Sequence, residues 1–252
     1  MSSNHSDSLF LETLLTQMTG ERNFLSEKKG ETKQPFFSDS THLSFANEIL
    51  ALYPIEVEET IQTVVIYQEH LQLIELPPLA IINQWLGQFH FDYAKFCSVF
   101  EGFQTLAKYC VPASDATYSL IPIGSPKDKK TIWINAQQIQ LINQTASATR
   151  IQLLNKVSLP SIKKEVSLKK NIRNGIATCH LLNQASVLWY THAQQIMLNS
   201  HESLHLPRKS LARKLITSAD LHFSWEEIET IQQKIIEIRQ LNHFKKKHKK
   251  KI

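Results

Sequence analysis

The feature that most narrows the fold is a change of hydrophobic period partway along the chain. Between Thr60 and Leu159 the apolar residues come largely in short β-favouring runs, each closed by turn formers. Ile61 with Val64 to Tyr67, and then Leu71 to Leu76, end at Pro77-Pro78. Thr117 to Ile123 ends at Gly124-Ser125-Pro126-Lys127-Asp128, and Thr131 to Ile134 and Ile139 to Ile142 follow. Ile151, Leu153, Val157 and Leu159 alternate about Asn155-Lys156, which predicts a hairpin turn. After Val166-Ser167 the spacing becomes helical: Leu168, Ile172, Ile176, Cys179, Leu182 and Ala185 to Leu188 fall at three- and four-residue steps, with Ser167 as N-cap.

Helices are also expected among the strands. Leu79 to His90 reads as one entered at the prolines, and Asp92 as the cap of a second reaching Lys108. Beyond Pro207, Leu211, Leu215 and Ile216 mark a short helix. Ser224 caps a longer one through Ile228, Ile231, Ile235 and Ile238, with Glu226 and Glu227 at its positive end. At the other end, Leu9, Leu11, Leu14, Leu15 and Met18 share a helical face ahead of a polar, mobile stretch around Ser26–Ser38. The expected class is therefore α+β, short antiparallel strands with packed helices and a mainly helical C-terminal extension. Its divisions are an N-terminal arm over 1–48, an α+β domain over 49–190, and an extension over 191–252 ending in a disordered basic tail, Lys245 to Lys251.

A length of 252 residues with 42% hydrophobic side chains allows one sizeable core or one core with a helical appendage. Cys97, Cys110 and Cys179 form no C-x-x-C pair and read as buried free thiols of a reducing compartment. The first residues lack a cationic n-region, and no apolar run approaches the roughly 18 residues of a membrane span. A cytoplasmic protein without membrane contact is expected.

The net charge of +5 conceals a strong polarity. Residues 1–123 hold 6 Lys and Arg against 15 Asp and Glu, a net −9, whereas residues 124–214 hold 14 against 3, a net +11. Ordinary surfaces mix both signs, so a block this one-sided suits phosphate or another polyanion. Within it, Lys127, Lys129 and Lys130 occupy a turn, Arg150 and Lys156 flank the hairpin, and Lys163, Lys164, Lys169, Lys170 and Arg173 surround the start of the long helix. Turns and helix starts are the places from which a chain reaches a nucleic-acid backbone or groove. Of these, Lys127, Lys129, Lys130, Arg150, Lys163, Lys164, Lys169, Lys170 and Arg173 are the candidate DNA contacts, and the lysine tail would add non-specific affinity.

One motif points to different chemistry. His201-Glu202-Ser203-Leu204-His205 is a literal H-E-x-x-H, which on a helix sets two zinc ligands and a general base on one face, with Glu226 or Glu229 available as a third ligand. Pro207 follows where such a helix must continue, and Asn199-Ser200 precedes it with a helix-end composition. No Gly-rich phosphate loop, nucleophile elbow or cysteine–histidine spacing accompanies it. Trp85, Trp133, Trp189 and Trp225 lie in apolar periods and read as core. No enzyme activity, cofactor or metal is expected, and a zinc peptidase is the first alternative.

Four stretches in succession carry a family resemblance. Phe96-Cys97-Ser98-Val99-Phe100-Glu101-Gly102 is similar to an F-x-S-x-Y-x-G-R region, and Lys108-Tyr109-Cys110-Val111-Pro112 to a K-x-P-I step. Leu120-Ile121-Pro122-Ile123-Gly124-Ser125, followed by Trp133-Ile134 and Ile139, is similar to an F-P-T-x-S…C-x-W-I…I core. Ile151-Gln152-Leu153 with Leu159, then Ser167 and a helix through Thr178 and Leu181, completes the set. In this order, residues from about Thr60 to Leu182 resemble the ComK competence transcription factors of low-GC Gram-positive bacteria. The resemblance implies an activator of DNA-uptake genes that binds A/T-rich double-stranded DNA, mainly through the minor groove, as a dimer that assembles further. It also implies turnover through an adaptor and a Clp-type protease. Departures stand at Phe103, where the family has an arginine, and at Asn174 and Ala177, where it has a glutamine and an arginine. They leave open a second alternative, an interaction module that keeps the fold without binding DNA.

Overall fold

The computed structural model describes residue 13 and residues 49–57, 59–103, 106, 110–191, 206–217 and 221–249, with the backbone alone for 186–191 and 242–249. Along the chain these form β1 (Ala51–Val57), β2 (Thr60–Ile66), β3 (Leu71–Ile74), α1 (Pro78–Gly87), α2 (Tyr93–Val99), β4 (Ala113–Ser114), β5 (Ser119–Pro122) and β6 (Trp133–Asn135). A 3-10 turn (Ala136–Gln138), β7 (Ile139–Gln144), β8 (Thr149–Leu153), β9 (Ser158–Ser161), α3 (Glu165–Thr191), α4 (Leu211–Leu215) and α5 (Trp225–Lys249) follow. The strands make a six-stranded sheet in the order β3-β2-β1-β6-β5-β4 and a three-stranded sheet β7-β8-β9. Every pairing is antiparallel, so the α+β class holds.

The larger sheet is buried on both faces, which explains why its strands read as near-continuous apolar runs. Leu52, Val65, Leu120 and Trp133 face one core, with Trp85, Phe96 and other residues of α1 and α2. Their neighbours Ala51, Val64, Ile66, Ile121 and Ile134 face a second core, with Ile142, Ile151, Leu153 and Leu159 of the smaller sheet. Alternate side chains of one strand therefore enter different cores. The helix α3 joins them: Leu168, Ile172 and Ile176 belong to the second core, and Ala177, Leu181, Leu182 and Ala185 to the first. Gly175 immediately precedes Ile176 in this helix. A Cβ there would stand 2.7 Å from Ile121 Cγ2 and 3.1 Å from Ala136 Cβ, so only glycine lets the helix come this close.

Several expected boundaries move. The strand β1 was not anticipated, yet it is central, lying between β2 and β6. Pro54 disguises it, and is tolerated because β6 pairs only with Ala51 and Leu52, leaving the proline with a neighbour on one side. The helix capped by Asp92 ends at Val99 rather than continuing to Lys108, because Gly102 has φ +94°, outside the helical region. The residues 104, 105 and 107–109 are outside the described ones. Asp92 does cap it, accepting from the Lys95 amide at 2.8 Å.

Ser167 is not the cap of α3, which begins two residues earlier. The Glu165 amide donates to Gln144 Oε1 at 2.7 Å, a tertiary cap supplied by β7. Ser224 caps α5 as expected: its Oγ accepts from the Glu227 amide at 3.2 Å, and Glu227 Oε2 accepts from the Ser224 amide at 2.8 Å. The C-terminal extension packs into the molecule through Ala212 in one core and Phe223, Ile228 and Ile231 in the other. Its lysine run is not wholly disordered, since α5 continues to Lys249. Lysine is a good helix former, and cations at a helix C-terminus face the negative end of its dipole. Trp85 and Trp133 are core as expected; Trp225 is not, being 60% exposed with its indole donating to Glu229. The N-terminal arm lies outside the described residues apart from Thr13.

Candidate nucleic-acid interface

Eight of the nine candidate cations fall into three groups around the start of α3. Lys127, Lys129 and Lys130 lie on the exposed turn between β5 and β6. This turn is built by its own side chains: Asp128 accepts from the Lys130 amide at 2.9 Å, and the Thr131 hydroxyl donates to the Ser125 carbonyl. Lys163 and Lys164 lie in the corner between β9 and α3, with Lys169 and Lys170 in the first turns of the helix. Lys163 ties these two groups together, since its Nζ donates to the Pro122 carbonyl at 3.0 Å, at the end of β5 where the turn begins. Asn171 donates to the same carbonyl at 3.3 Å. Arg150 stands on the exposed face of β8, opposite Pro160 and one register step from Ser161.

Arg173 looks away toward the extension, its Nε donating to the Leu215 carbonyl at the end of α4. The segment that ends at this contact carries four exposed cations, Arg208 and Lys209 before α4 and Arg213 and Lys214 in its last turn. They belong to the basic block of the sequence. The docking of α4 on α3 brings this segment to Arg173, and nothing local in the sequence announces that docking.

The nine candidates are not equivalent. Lys130 pairs with Glu56 at 2.7 Å and Lys169 with Glu165 at 2.6 Å. Both pairs are partly exposed, and surface pairs are worth at most about 1 kcal/mol, so an approaching phosphate can exchange with the carboxylate. Lys163 and Arg173 are held by backbone carbonyls and keep their positive charge at fixed positions. The side chains of Lys127, Lys129, Arg150, Lys164 and Lys170 have no hydrogen-bond or ion-pair partner among the described residues. Those five offer their full donor capacity to a ligand.

Two of the three positions that depart from the ComK pattern pack against α5. Phe103 is half-buried, and Lys234 of α5 sits over its ring at 5.6 Å while donating to the Glu101 carbonyl at 2.7 Å. Ala177 is buried in the core that includes Phe223, Ile228 and Ile231, where an arginine would have no room. Asn174 is partly exposed and its carbonyl accepts from Thr178. The extension therefore occupies the surface that two of these positions would otherwise present.

Cys179 is buried, Cys97 and Cys110 only partly, and all three are free. Burial pushes the Cys97 and Cys179 thiols above their ordinary range, which disfavours thiolate chemistry. His201, Glu202 and His205 lie outside the described residues. No helix among the described residues is long and apolar enough to cross a membrane. Comparison with family models, curated proteins and solved structures gives no match, so the likeness to ComK rests on the four motifs.

Proposed function

We propose that the chain is a DNA-binding transcription regulator of the ComK type, acting on A/T-rich double-stranded DNA. The observation that carries this reading is the convergence of the turn at Lys127–Lys130 and the corner at Lys163–Lys170, tied by the Lys163 to Pro122 contact. Two segments well separated in sequence thus present cations at one end of α3, with Asp128 and Glu165 within them and Glu56 paired to Lys130. Neutralised phosphates release condensed counterions, so a surface of this kind gains affinity for a duplex at low salt. The shape-dependent width of A/T-rich minor grooves, where lysine and arginine are favoured, gives it a sequence preference. Activation of competence genes, assembly from dimers and turnover through a Clp-protease adaptor rest on the family resemblance alone.

A mobility-shift assay across a panel of A/T-rich and G/C-rich duplexes tests the reading. Retardation of the A/T-rich set at low salt, weakening steeply as salt rises, is the expected result. Failure to shift any duplex at low salt overturns it. A second reading, a ComK-like module for protein partners, is favoured by the burial of Ala177 and the half-burial of Phe103 under α5. It predicts protein partners in a pull-down together with no DNA shift.

A further inference from the structure

Two aliphatic side chains stand in solvent in the basic corner. Ile162 is 87% exposed and Val166 79% exposed, within a segment that also carries Lys163, Lys164, Lys169 and Lys170. Neither residue's sequence context marks it as surface: both are β-branched residues beside the buried pattern of β9 and α3. Their exposure is fixed by the local fold. The Ser161 hydroxyl accepts from the Lys163 amide at 3.0 Å and lies 3.1 Å from the Lys163 carbonyl, closing a tight turn with Ile162 at its apex. Lys163 is pinned to Pro122, and the Glu165 amide to Gln144, so three contacts hold the corner rigid. β-branched side chains have few rotamers, which adds to the stiffness.

We infer that Ile162 and Val166 form an apolar wedge that enters a base step of the bound duplex. The inference rests on the DNA-binding reading above and assigns the group that deforms the DNA. Charge complementarity selects this occupant: the segment that exposes the apolar pair also carries Lys163, Lys164, Lys169 and Lys170, cations suited to the phosphates either side of an opened step. Aliphatic wedges of this kind unstack neighbouring bases and kink the duplex. A protein partner would need a broader apolar patch, and among the described residues the other exposed large apolar ones, Leu73, Leu141, Trp225 and Leu241, lie on β3, β7 and α5.

The test uses the full chain and a set of A/T-rich duplexes in which one adenine at a time is replaced by 2-aminopurine, whose fluorescence rises when it unstacks. The wild type is expected to raise the emission several-fold at one step. The Ile162→Ser, Val166→Ser double variant should lose that rise and bind about tenfold more weakly, with an unchanged salt dependence because the cations remain. Ile162→Phe, which keeps an apolar wedge, should preserve the rise. Since both side chains are exposed, an unchanged melting temperature verifies that the variants fold. Binding of the wild type without any rise, or an unchanged rise in the double variant, overturns the wedge while DNA binding stands. Absence of binding by the wild type overturns both. Sedimentation with phosphatidylglycerol vesicles that requires Ile162 and Val166, while duplex affinity does not, reassigns the pair to a membrane surface and overturns the wedge.

Discussion

Gly175 and His180 show how single positions of α3 govern the rest. Substituting Gly175 by alanine would gain helix propensity of up to about 1 kcal/mol, but the new methyl would press on Ile121 and Ala136. Overpacking of this kind costs about 1–3 kcal/mol, so Gly175→Ala should lower the melting temperature, as read by circular dichroism. Had the helix stood farther from the sheet, the same change would raise it. His180 is half-buried, its ring tilted against Phe223 at 6.4 Å. Burial holds its pKa below the ordinary histidine value, and a hydrogen bond with the Leu221 backbone only partly offsets this. The unfolded chain therefore binds the proton more readily, and stability falls as pH drops through the unfolded value near 6.5 toward the lower folded one. Melting temperatures measured between pH 7.5 and 5.5 should decline, and His180→Gln should flatten that decline. At the same scale, the positions of the candidate lysines were legible because charge and turn signals are local. The fixed contacts of Lys130, Lys163 and Arg173 were not, since Glu56, Pro122 and Leu215 are distant in the chain.

Among the elements, α5 changes most in meaning. A helical extension was legible from Ser224 and the isoleucine spacing, and the reciprocal hydrogen bonds of Ser224 and Glu227 fit that pattern. Its packing was not, because the complementary apolar residues Ala177, Leu181 and Leu182 also satisfy the period of a helix facing its own sheet. Ile231 is fully buried against them, so Ile231→Ala should cost about 2–5 kcal/mol in a urea titration. A separate appendage would instead leave the main unfolding transition unmoved. The same distinction accounts for the strands. The hairpin about Asn155-Lys156 was legible: Lys156 has φ +74° and the Asn155 side chain accepts from the Val157 amide at 3.2 Å. By contrast β1, with apolar residues on both faces and a proline inside, carries no alternation to detect. Helix ends were misjudged where tertiary partners set them, as Gln144 does for α3.

Across the whole molecule, α3 links the basic corner to the C-terminal extension that packs on it. The first turns of α3 carry Val166, Lys169 and Lys170 beside the corner that presents Ile162, and its later turns pack against α5. If the basic corner engages phosphates, each neutralised contact adds about 0.9 to the slope of log affinity against log salt. The cations without partners among the described residues at the turn and corner, Lys127, Lys129, Lys164 and Lys170, should dominate that slope. Replacing all four by glutamine removes charge from exposed positions and should leave the fold intact. Fluorescence anisotropy with an A/T-rich duplex, titrated from about 50 to 200 mM salt, measures the slope for both proteins. The predicted result is a steep wild-type slope that becomes shallower by about 3 to 4 in the fourfold variant. A wild-type affinity that ignores salt, or a slope the four substitutions leave unchanged, would contradict DNA binding through this corner.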